Sequence, residues 1–466
     1  MEDGLPTSVV NKFGDKGIRC KLSFEDLRSM CPISHTQDSY QITLDYVPNR
    51  LLIETNSFEE YLLKYEKKEI LQEELSNTIM LDVILMISPK WLKVELKRNI
   101  RRGIHNTVVQ EWSETDGFHH SPKIGVRGKL TDKLKVDIPF KSEKHSRITI
   151  ISGGNKDLAT PTFFPAVSSR QSFDIRALLE LMLAENYPRL YISAYDIYEN
   201  PDVYDTNLIL AINRNFWNGC TIMIDSGCFE SYHKGDKNWT QGKYKEAINK
   251  FHSDYYMAFD PFPQSDESKG EYYKDLMSNL NASRGVQSDG SILIAILHGS
   301  NPTSLVDNLR CYLGEYNEKD TIIAVPEREC GESLSERCLT ISNIRRAFTD
   351  FGVDPILHIL GCGDPVSISA YVYSGADSFD SAEWTQYLVD PIGLKKLSIS
   401  QLELIKCDCR ACELTNTPPN KRALLHNLLF YQNFMTKLRD MIKYGTLRDF
   451  LITSVGKDIV SKIDGN

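Results

Sequence analysis

Three cysteines and one histidine near the end of the chain carry its most specific spacing. Cys407-Asp-Cys-Arg-Ala-Cys412 reads Cys-x-Cys-x-x-Cys, and His426 follows in Leu425-His-Asn-Leu-Leu-Phe-Tyr431. Three thiolates and an imidazole complete a tetrahedral Cys3His zinc site with no open position, so Zn2+ here would be structural. Carboxylates suggest a second chemistry. Gly375-Ala-Asp-Ser-Phe-Asp-Ser-Ala-Glu-Trp384 carries Asp377 and Asp380, and Asp225, Asp260, His298 and Glu327 stand at the ends of earlier apolar runs. A positioned carboxylate can act as a nucleophile or as a general acid/base. A third possibility lies in Ser29-Met-Cys-Pro-Ile-Ser-His-Thr-Gln-Asp38, where Cys31 precedes Asp38 by seven residues. A cysteine attacks only as thiolate, so a nearby group must take its proton or shift its pKa. Cys31 and Asp38 could form such a pair.

These groups need elements to hold them. Pro355-Ile-Leu-His-Ile-Leu-Gly-Cys-Gly363 reads as a buried strand, Val366 to Ser374 as a short helix, and the next strand ends at Asp380. That is one βα repeat. Arg189 to Tyr195, Cys220 to Asp225, Tyr255 to Asp260, Ile292 to His298 and Thr321 to Glu327 are near-continuous apolar runs. Strands covered on both faces look this way. Helical patterns lie between them, at Lys243–Phe251, Tyr272–Leu280, Ser304–Tyr316 and Leu334–Phe351. A unit of about 30 residues, repeated over roughly 300, predicts a (β/α)8 TIM barrel whose chemistry sits at the C-terminal ends of its strands.

The first part reads differently. Tyr40–Val47 and Trp91–Arg98 alternate as half-buried strands, and Arg50–Thr55 is expected to continue the same sheet. Phe58–Lys67 and Leu71–Met86 have helical spacing. Together they predict an α+β domain over 1–140, ahead of a barrel domain over 141–466 with its zinc subdomain at 407–426. Asn106 to Lys123 is polar, and its adjacent His119 and His120 read as solvated.

Composition sets the frame. A chain of 466 residues suggests two or three domains. No run of about 18 apolar residues occurs, so no membrane span is expected. Met1-Glu-Asp-Gly has neither the basic nor the apolar region of a signal peptide. Eleven scattered cysteines fit a reducing, cytoplasmic setting. With a net charge of −9, a nucleic-acid partner would need a local basic face. Lys97, Arg98, Arg101 and Arg102, and Lys437, Arg439, Lys443 and Arg448, are the candidates.

The second part resembles tRNA-guanine transglycosylases over about 150–455. Asp225-Ser-Gly-Cys-Phe-Glu230 is similar to their Asp-Ser-Gly-Gly-Phe/Tyr-Gln loop, and Thr160-Pro-Thr-Phe-Phe-Pro-Ala-Val to their first strand. Phe259-Asp-Pro-Phe, Leu297-His-Gly-Ser, His358-Ile-Leu-Gly-Cys-Gly and Asp377-Ser-Phe-Asp-Ser follow in order, as does the cysteine cluster with its His-Asn-Leu. The resemblance implies base exchange on an intact strand, with Asp380 as nucleophile at C1′ and Asp225 as general acid/base. It implies that Asp260 accepts from the guanine edge, and that Ser226, His298 and Gly299 line the pocket. Three positions depart from the pattern. His298 stands for a glutamine, Cys228 for a glycine, and Pro326-Glu-Arg-Glu329 for a glycine-rich loop.

The first part resembles 7-cyano-7-deazaguanine reductases of the tunnelling fold over most of 20–105. The Cys31-Pro-Ile-Ser to Asp38 loop, Ile42 to Asn49, Glu54-Thr-Asn-Ser57, Gln72-Glu-Glu-Leu-Ser-Asn77 and Arg102-Gly-Ile104 carry the likeness. It implies that Cys31 adds to a nitrile, that Asp38 transfers protons, and that Glu73 holds a deazaguanine. The lysines that bind the family's cofactor are missing after Glu54, and Gln72 replaces a histidine. NADPH-dependent reduction is therefore not expected; capture of the nitrile, addition of water or ammonia to it, and an inert binding or oligomerising module stay open.

Both resemblances point to one ligand class. The combined expectation is a cytoplasmic, homo-oligomeric 7-deazaguanine transglycosylase of the DNA-modifying branch, from a phage or a modification cluster, with DNA favoured over tRNA. A tRNA transglycosylase of queuosine or archaeosine type, and a non-catalytic nucleic-acid-binding subunit, are the alternatives.

Overall fold

Alternating burial builds the first sheet. Tyr40, Ile42, Leu44 and Tyr46 face inward from strand Gln37–Val47, and Leu92, Val94 and Leu96 do so from Trp91–Arg98. Cys20–Met30 and Thr107–Ser113 complete an antiparallel sheet, in the order Cys20–Met30, Gln37–Val47, Trp91–Arg98, Thr107–Ser113. Helix Gln72–Ile87 covers its apolar face with Leu75, Ile79, Val83 and Ile84. The expected continuation after Tyr40–Val47 is corrected. Leu51–Ile53 leaves this sheet and pairs with Ser8–Val10 instead. The strand is short because Glu54 caps helix Thr55–Leu63, accepting from the N–H groups of Asn56 and Ser57.

The second architecture is a closed parallel barrel. Its strands, here β1 to β8, are Thr162–Val167, Arg189–Ser193, Thr221–Asp225, Tyr255–Met257, Ile292–Ile296, Ile322–Pro326, Ile356–Leu360 and Ser378–Ser381. Each pairs with the next, and β8 closes on β1 with Asp380 opposite Phe164. Phe164, Tyr191, Met223, Met257, Ile294, Ala324 and Ile356 belong to one buried core cluster, as expected of a filled barrel. Helices including Gln241–Ile248, Lys269–Ser283, Pro302–Glu315, Leu334–Asp350 and Pro365–Ser374 follow the strands. Strand Lys135–Lys141, which spans the expected boundary, pairs with Arg147–Ser152 in a small antiparallel sheet with Leu158–Thr160.

Two compact units result, 1–129 with 206–214, and 130–205 with 215–466. The computed structural model describes all residues except 1–7, 13–17, 50, 88, 100–105, 114–133, 153–156, 218, 251, 262–268, 285, 287–290, 317–320, 415 and 466. Arg101, Arg102, His119 and His120 lie outside the described residues, as does Arg102-Gly-Ile104 of the reductase likeness. No helix among the described residues is long and apolar enough to cross a membrane.

Asp377, three residues before Asp380, is structural. Its carboxylate accepts from Arg147 Nε and Nη2, each at 2.8 Å, from the Leu357 N–H at 2.8 Å, and from Arg345 Nη2. Burial alone would raise its pKa, but Arg147 and Arg345 hold it below the usual carboxylate range. Its stabilising effect is therefore complete above the ordinary Asp value of about 3.9 and is lost as pH falls through the lower folded value. Asp377→Ala removes the buried carboxylate that two buried guanidinium groups share, leaving them the more exposed Asp354, and should cost about 3–5 kcal/mol at pH 7. Denaturant melts should show that gap narrowing in strong acid. A gap below about 1 kcal/mol at pH 7 would remove Asp377 from the frame.

Candidate active site

Asp380 sits on β8, buried, with two donors on one oxygen. His358 Nε2 lies 3.1 Å from Asp380 Oδ1, and the Gly361 N–H reaches the same atom at 3.2 Å. An ionised carboxylate only accepts, so Nε2 carries the proton, and Nδ1 meets Ser378 Oγ at 2.8 Å. Both His358 and Ser378 come from the β7–β8 pair, where they stand in register.

Asp225 ends β3. Tyr191 OH donates to its Oδ1 at 3.0 Å, and the Gly227 N–H to Oδ2 at 3.2 Å. Gly227 has φ of +74°, and a Cβ there would meet Tyr195 N at 2.4 Å, so only glycine fits this turn. Burial, then the charges of Glu230, Asp260 and Asp380, push the Asp225 carboxyl well above the usual range. The three aspartates thus share one electrostatic neighbourhood. Ser226 is buried and receives the Cys228 N–H at 3.2 Å on its Oγ.

Asp260 follows β4 and meets His298, which follows β5, with 3.0 Å between Oδ2 and Nε2. His298 Nδ1 lies 2.9 Å from Glu329 Oε1, and the Gly299 N–H donates to Glu329 Oε2 at 2.9 Å. Burial opposes charge on the ring, but the bonds to Asp260 and Glu329 outweigh it and raise His298 to about 9. At neutral pH it is an imidazolium with both N–H groups committed to carboxylates. The other oxygen of Asp260, Oδ1, is buried and has no hydrogen-bond partner among the described residues. It is an acceptor in waiting for an N–H donor.

Tyr191, Glu230, His358 and Glu329 were not singled out as site residues by sequence. Tyr191 and His358 are polar side chains inside otherwise apolar strands, which was the available signal. Glu329 lies in the loop already noted as a departure. Glu230 stands where the family motif has glutamine, and it accepts from Ser168 Oγ at 2.6 Å.

Cys407, Cys409, Cys412 and His426 come together as expected. Their donor atoms all lie within 4.8 Å of one another, and His426 Nδ1 is 3.4 Å from both Cys409 Sγ and Cys412 Sγ. Tetrahedral zinc, with bonds of about 2.0–2.3 Å, sets donors about 3.5–3.8 Å apart. His426 Nε2 donates to the Val389 carbonyl at 2.9 Å, which leaves the Nδ1 lone pair to face the thiols. The residues therefore fit a metal of this class. Helix Pro419–Tyr444 carries His426 and ties the cluster to the barrel through Asn427, which donates to the Trp384 and Tyr387 carbonyls, and Tyr431, which donates to that of Gly363.

In the first unit, Cys31 opens a tight turn, and its Sγ receives the Ser34 N–H at 3.5 Å. Hydrogen bonds from Ser34, then from the Ile33 backbone, lower the thiol pKa, with Asp38 opposing. Asp38 is buried and is held by Arg98 Nη2 and, at 3.4 Å, by Tyr40 OH. Glu73 is half-buried on the first turn of helix Gln72–Ile87. Gln72 donates to the Leu96 carbonyl at 2.8 Å, so it is spent on joining helix to sheet.

Three of the expected basic residues have partners within the protein. Arg98 serves Asp38, Arg439 donates to the Pro161 carbonyl at 2.7 Å, and Arg448 pairs with Asp464 at 2.9 Å. Lys437 and Lys443 lie over the Phe450 and Phe140 rings.

The second unit is thus a barrel protein with interacting carboxylates at its C-terminal strand ends and a structural-type Cys3His cluster beside the barrel. The profile of the family described as Queuine tRNA-ribosyltransferase matches residues 142–457, and the chain belongs to that family. A second profile, described as QueF-like protein, matches residues 38–116. A tRNA-guanine(15) transglycosylase of Pyrococcus abyssi is 26% identical over 318 residues, covering 65% of this chain and 53% of the relative. An NADPH-dependent 7-cyano-7-deazaguanine reductase of Prosthecochloris aestuarii is 32% identical over 106 residues, 23% of this chain and 90% of the relative. Its counterpart in Syntrophus aciditrophicus is 28% identical over 104 residues, 22% of this chain and 74% of the relative. The chain spans about half the length of the curated transglycosylases it matches.

One zinc per chain is the expected result of elemental analysis. Cys409→Ala should release it and lower the melting temperature, since metal binding at a structural site is folding free energy. A metal-free wild type of unchanged stability would refute the assignment.

Proposed function

We propose that this chain is a 7-deazaguanine transglycosylase, replacing guanine in a nucleic acid, DNA foremost, by a 7-deazaguanine base. The observation that carries this reading is the pairing of Asp380, held by His358 Nε2 and the Gly361 N–H, with Asp225, whose carboxyl burial and its acidic neighbours push well above the usual range. The Asp380 carboxylate attacks C1′, and the C1′–N9 bond breaks with its electron pair left on guanine. Asp225 gives its proton to the departing base. The incoming base loses a proton to Asp225, its N9 attacks C1′, and Asp380 leaves. Two displacements preserve the anomeric configuration, and the glycosyl ester keeps the strand intact between them. Asp260 Oδ1 accepts from the N–H edge of the base.

The DNA preference rests on the barrel's departures from the tRNA-enzyme motifs, at Cys228, His298 and Pro326-Glu-Arg-Glu329. The relatives' names favour the second reading, a tRNA substrate. Nucleosides from host DNA and tRNA, digested and weighed after expression, decide between them. Asp380→Asn should cut the modified nucleoside, and labelled-guanine exchange, by roughly 10³-fold or more. Exchange at the wild-type rate would overturn the mechanism.

The first unit, in this reading, captures the nitrile base. Cys31 thiolate adds to the nitrile carbon, the nitrogen takes a proton by way of Asp38, and a thioimide forms. Glu73 supplies acceptors for the ring edge. Incubation with 7-cyano-7-deazaguanine should give an adduct by intact mass in the wild type and none in Cys31→Ala, without NADPH oxidation. Steady NADPH consumption would make the domain a reductase.

A further inference from the structure

Cys31 shares its turn with an imidazole that the capture step leaves unused. The Cys31 N–H donates to the Thr36 carbonyl at 2.9 Å, and the His35 N–H to the Cys31 carbonyl at 2.8 Å, so the chain from 31 to 36 closes on itself. His35 stands in it at φ of +50°, a conformation that glycine adopts freely and other residues rarely. The segment carrying Glu69 runs alongside. The Met30 N–H donates to the Lys68 carbonyl at 2.9 Å, and the Ile70 N–H to the Met30 carbonyl at 3.0 Å, which sets Glu69 beside the residue that precedes Cys31. Glu69 Oε1 lies 2.9 Å from His35 Nδ1. A thiol, an imidazole and a carboxylate thus share one turn and the segment beside it.

An ionised carboxylate only accepts, so Nδ1 carries the proton and the Nε2 lone pair is left to take one. A histidine oriented by a carboxylate in this way is built as a general base. The side chains of His35 and Glu69 are 70% and 56% exposed, so their pairing adds little to stability, and water reaches both. Asp38 is placed differently. Arg98 holds its Oδ1 and Tyr40 OH its Oδ2, so a base for a second step has to come from elsewhere. A thioimide at Cys31 needs such a step to be released. Reduction is disfavoured, because the lysines after Glu54 are missing and Gln72 is spent on the Leu96 carbonyl. Addition of water needs only a base.

We propose that the first unit hydrates the nitrile of 7-cyano-7-deazaguanine to a carboxamide, with His35 as general base and Glu69 as the residue that positions it. This rests on the capture reading above. Water attacks the thioimide carbon, its proton passes to His35 Nε2, and the imide nitrogen takes a proton to become an amine. The tetrahedral carbon then carries hydroxyl, amine and sulfur. The C–S bond breaks with its electron pair left on sulfur, the hydroxyl proton is lost as the carbonyl forms, and the Cys31 thiolate is regained. The sum is nitrile plus water giving carboxamide, with nothing oxidised or reduced.

The test incubates the full chain with 7-cyano-7-deazaguanine in 18O-labelled water, without NADPH or ammonium, and weighs both the protein and the released base. Wild type should release a base heavier by one labelled water. H35N keeps a side chain that tolerates the left-handed conformation but removes the base. It should still form the Cys31 adduct while release falls by roughly 100-fold, so the adduct accumulates. E69Q should move the same way by a smaller factor. Loss of release with the adduct retained is not what a damaged fold produces. Release by H35N at the wild-type rate, or by C31A, would overturn the proposal, as would a wild type that holds the adduct and releases nothing. An amidine that replaces the carboxamide entirely once ammonium is added would overturn the water step. Neither adduct nor carboxamide in the wild type would remove the capture reading and this inference together.

Discussion

One buried carboxylate sets the geometry on which the candidate site depends. Asp377 gathers Arg147, which opens the strand after the 142–146 turn, Arg345 from helix Leu334–Asp350, and the backbone of Leu357 in β7. Arg147 and Arg345 also each donate to the Pro355 carbonyl. Four separate segments thus meet at the base of β8, the strand that closes the barrel against β1. Asp380 lies three residues further on. In a strand that distance fixes which side a residue faces, so whatever holds Asp377 also aims Asp380. A pair of guanidinium groups is well suited to this, because their planar forks fix direction as well as charge.

The barrel was legible because parallel strands buried on both faces read as apolar runs, and those runs stop where side chains begin to do something else. Asp225, Asp260, His298 and Asp380 announced themselves that way. The cysteine cluster was legible for a different reason: metal geometry constrains spacing more tightly than packing does. The partners of these residues were not legible. Tyr191 reaches Asp225, and His358 reaches Asp380, only because β2 lies beside β3 and β7 beside β8 in a particular register. Local sequence carries the period of a strand but not the identity of the residue across from it. The same limit explains Leu51–Ile53, whose partner Ser8–Val10 is some forty residues away in a segment with no strong pattern. Asp377 and Asp380 looked alike in sequence, and cationic neighbours recruited from distant segments made one structural.

Burying several carboxylates in one barrel mouth creates a problem that the site resolves differently at each position, and those differences define what each group can do. Among the described residues Asp225 has neutral donors only, Tyr191 OH and a backbone N–H, and burial and acidic neighbours push its carboxyl well above the usual range. A group in that state can give a proton. Asp380 has an imidazole N–H and a backbone N–H on one oxygen. Fixed donors on one side hold that carboxylate in one orientation. Asp260 and Glu329 face the two nitrogens of one ring, that of His298. Exchanging the residues among these positions would exchange their chemistry, because the side chain is the same in three of the four and only the partners differ. The division of labour at this barrel mouth is therefore written in what each strand end finds across from it, and barrel closure is the event that makes the carboxylates distinct.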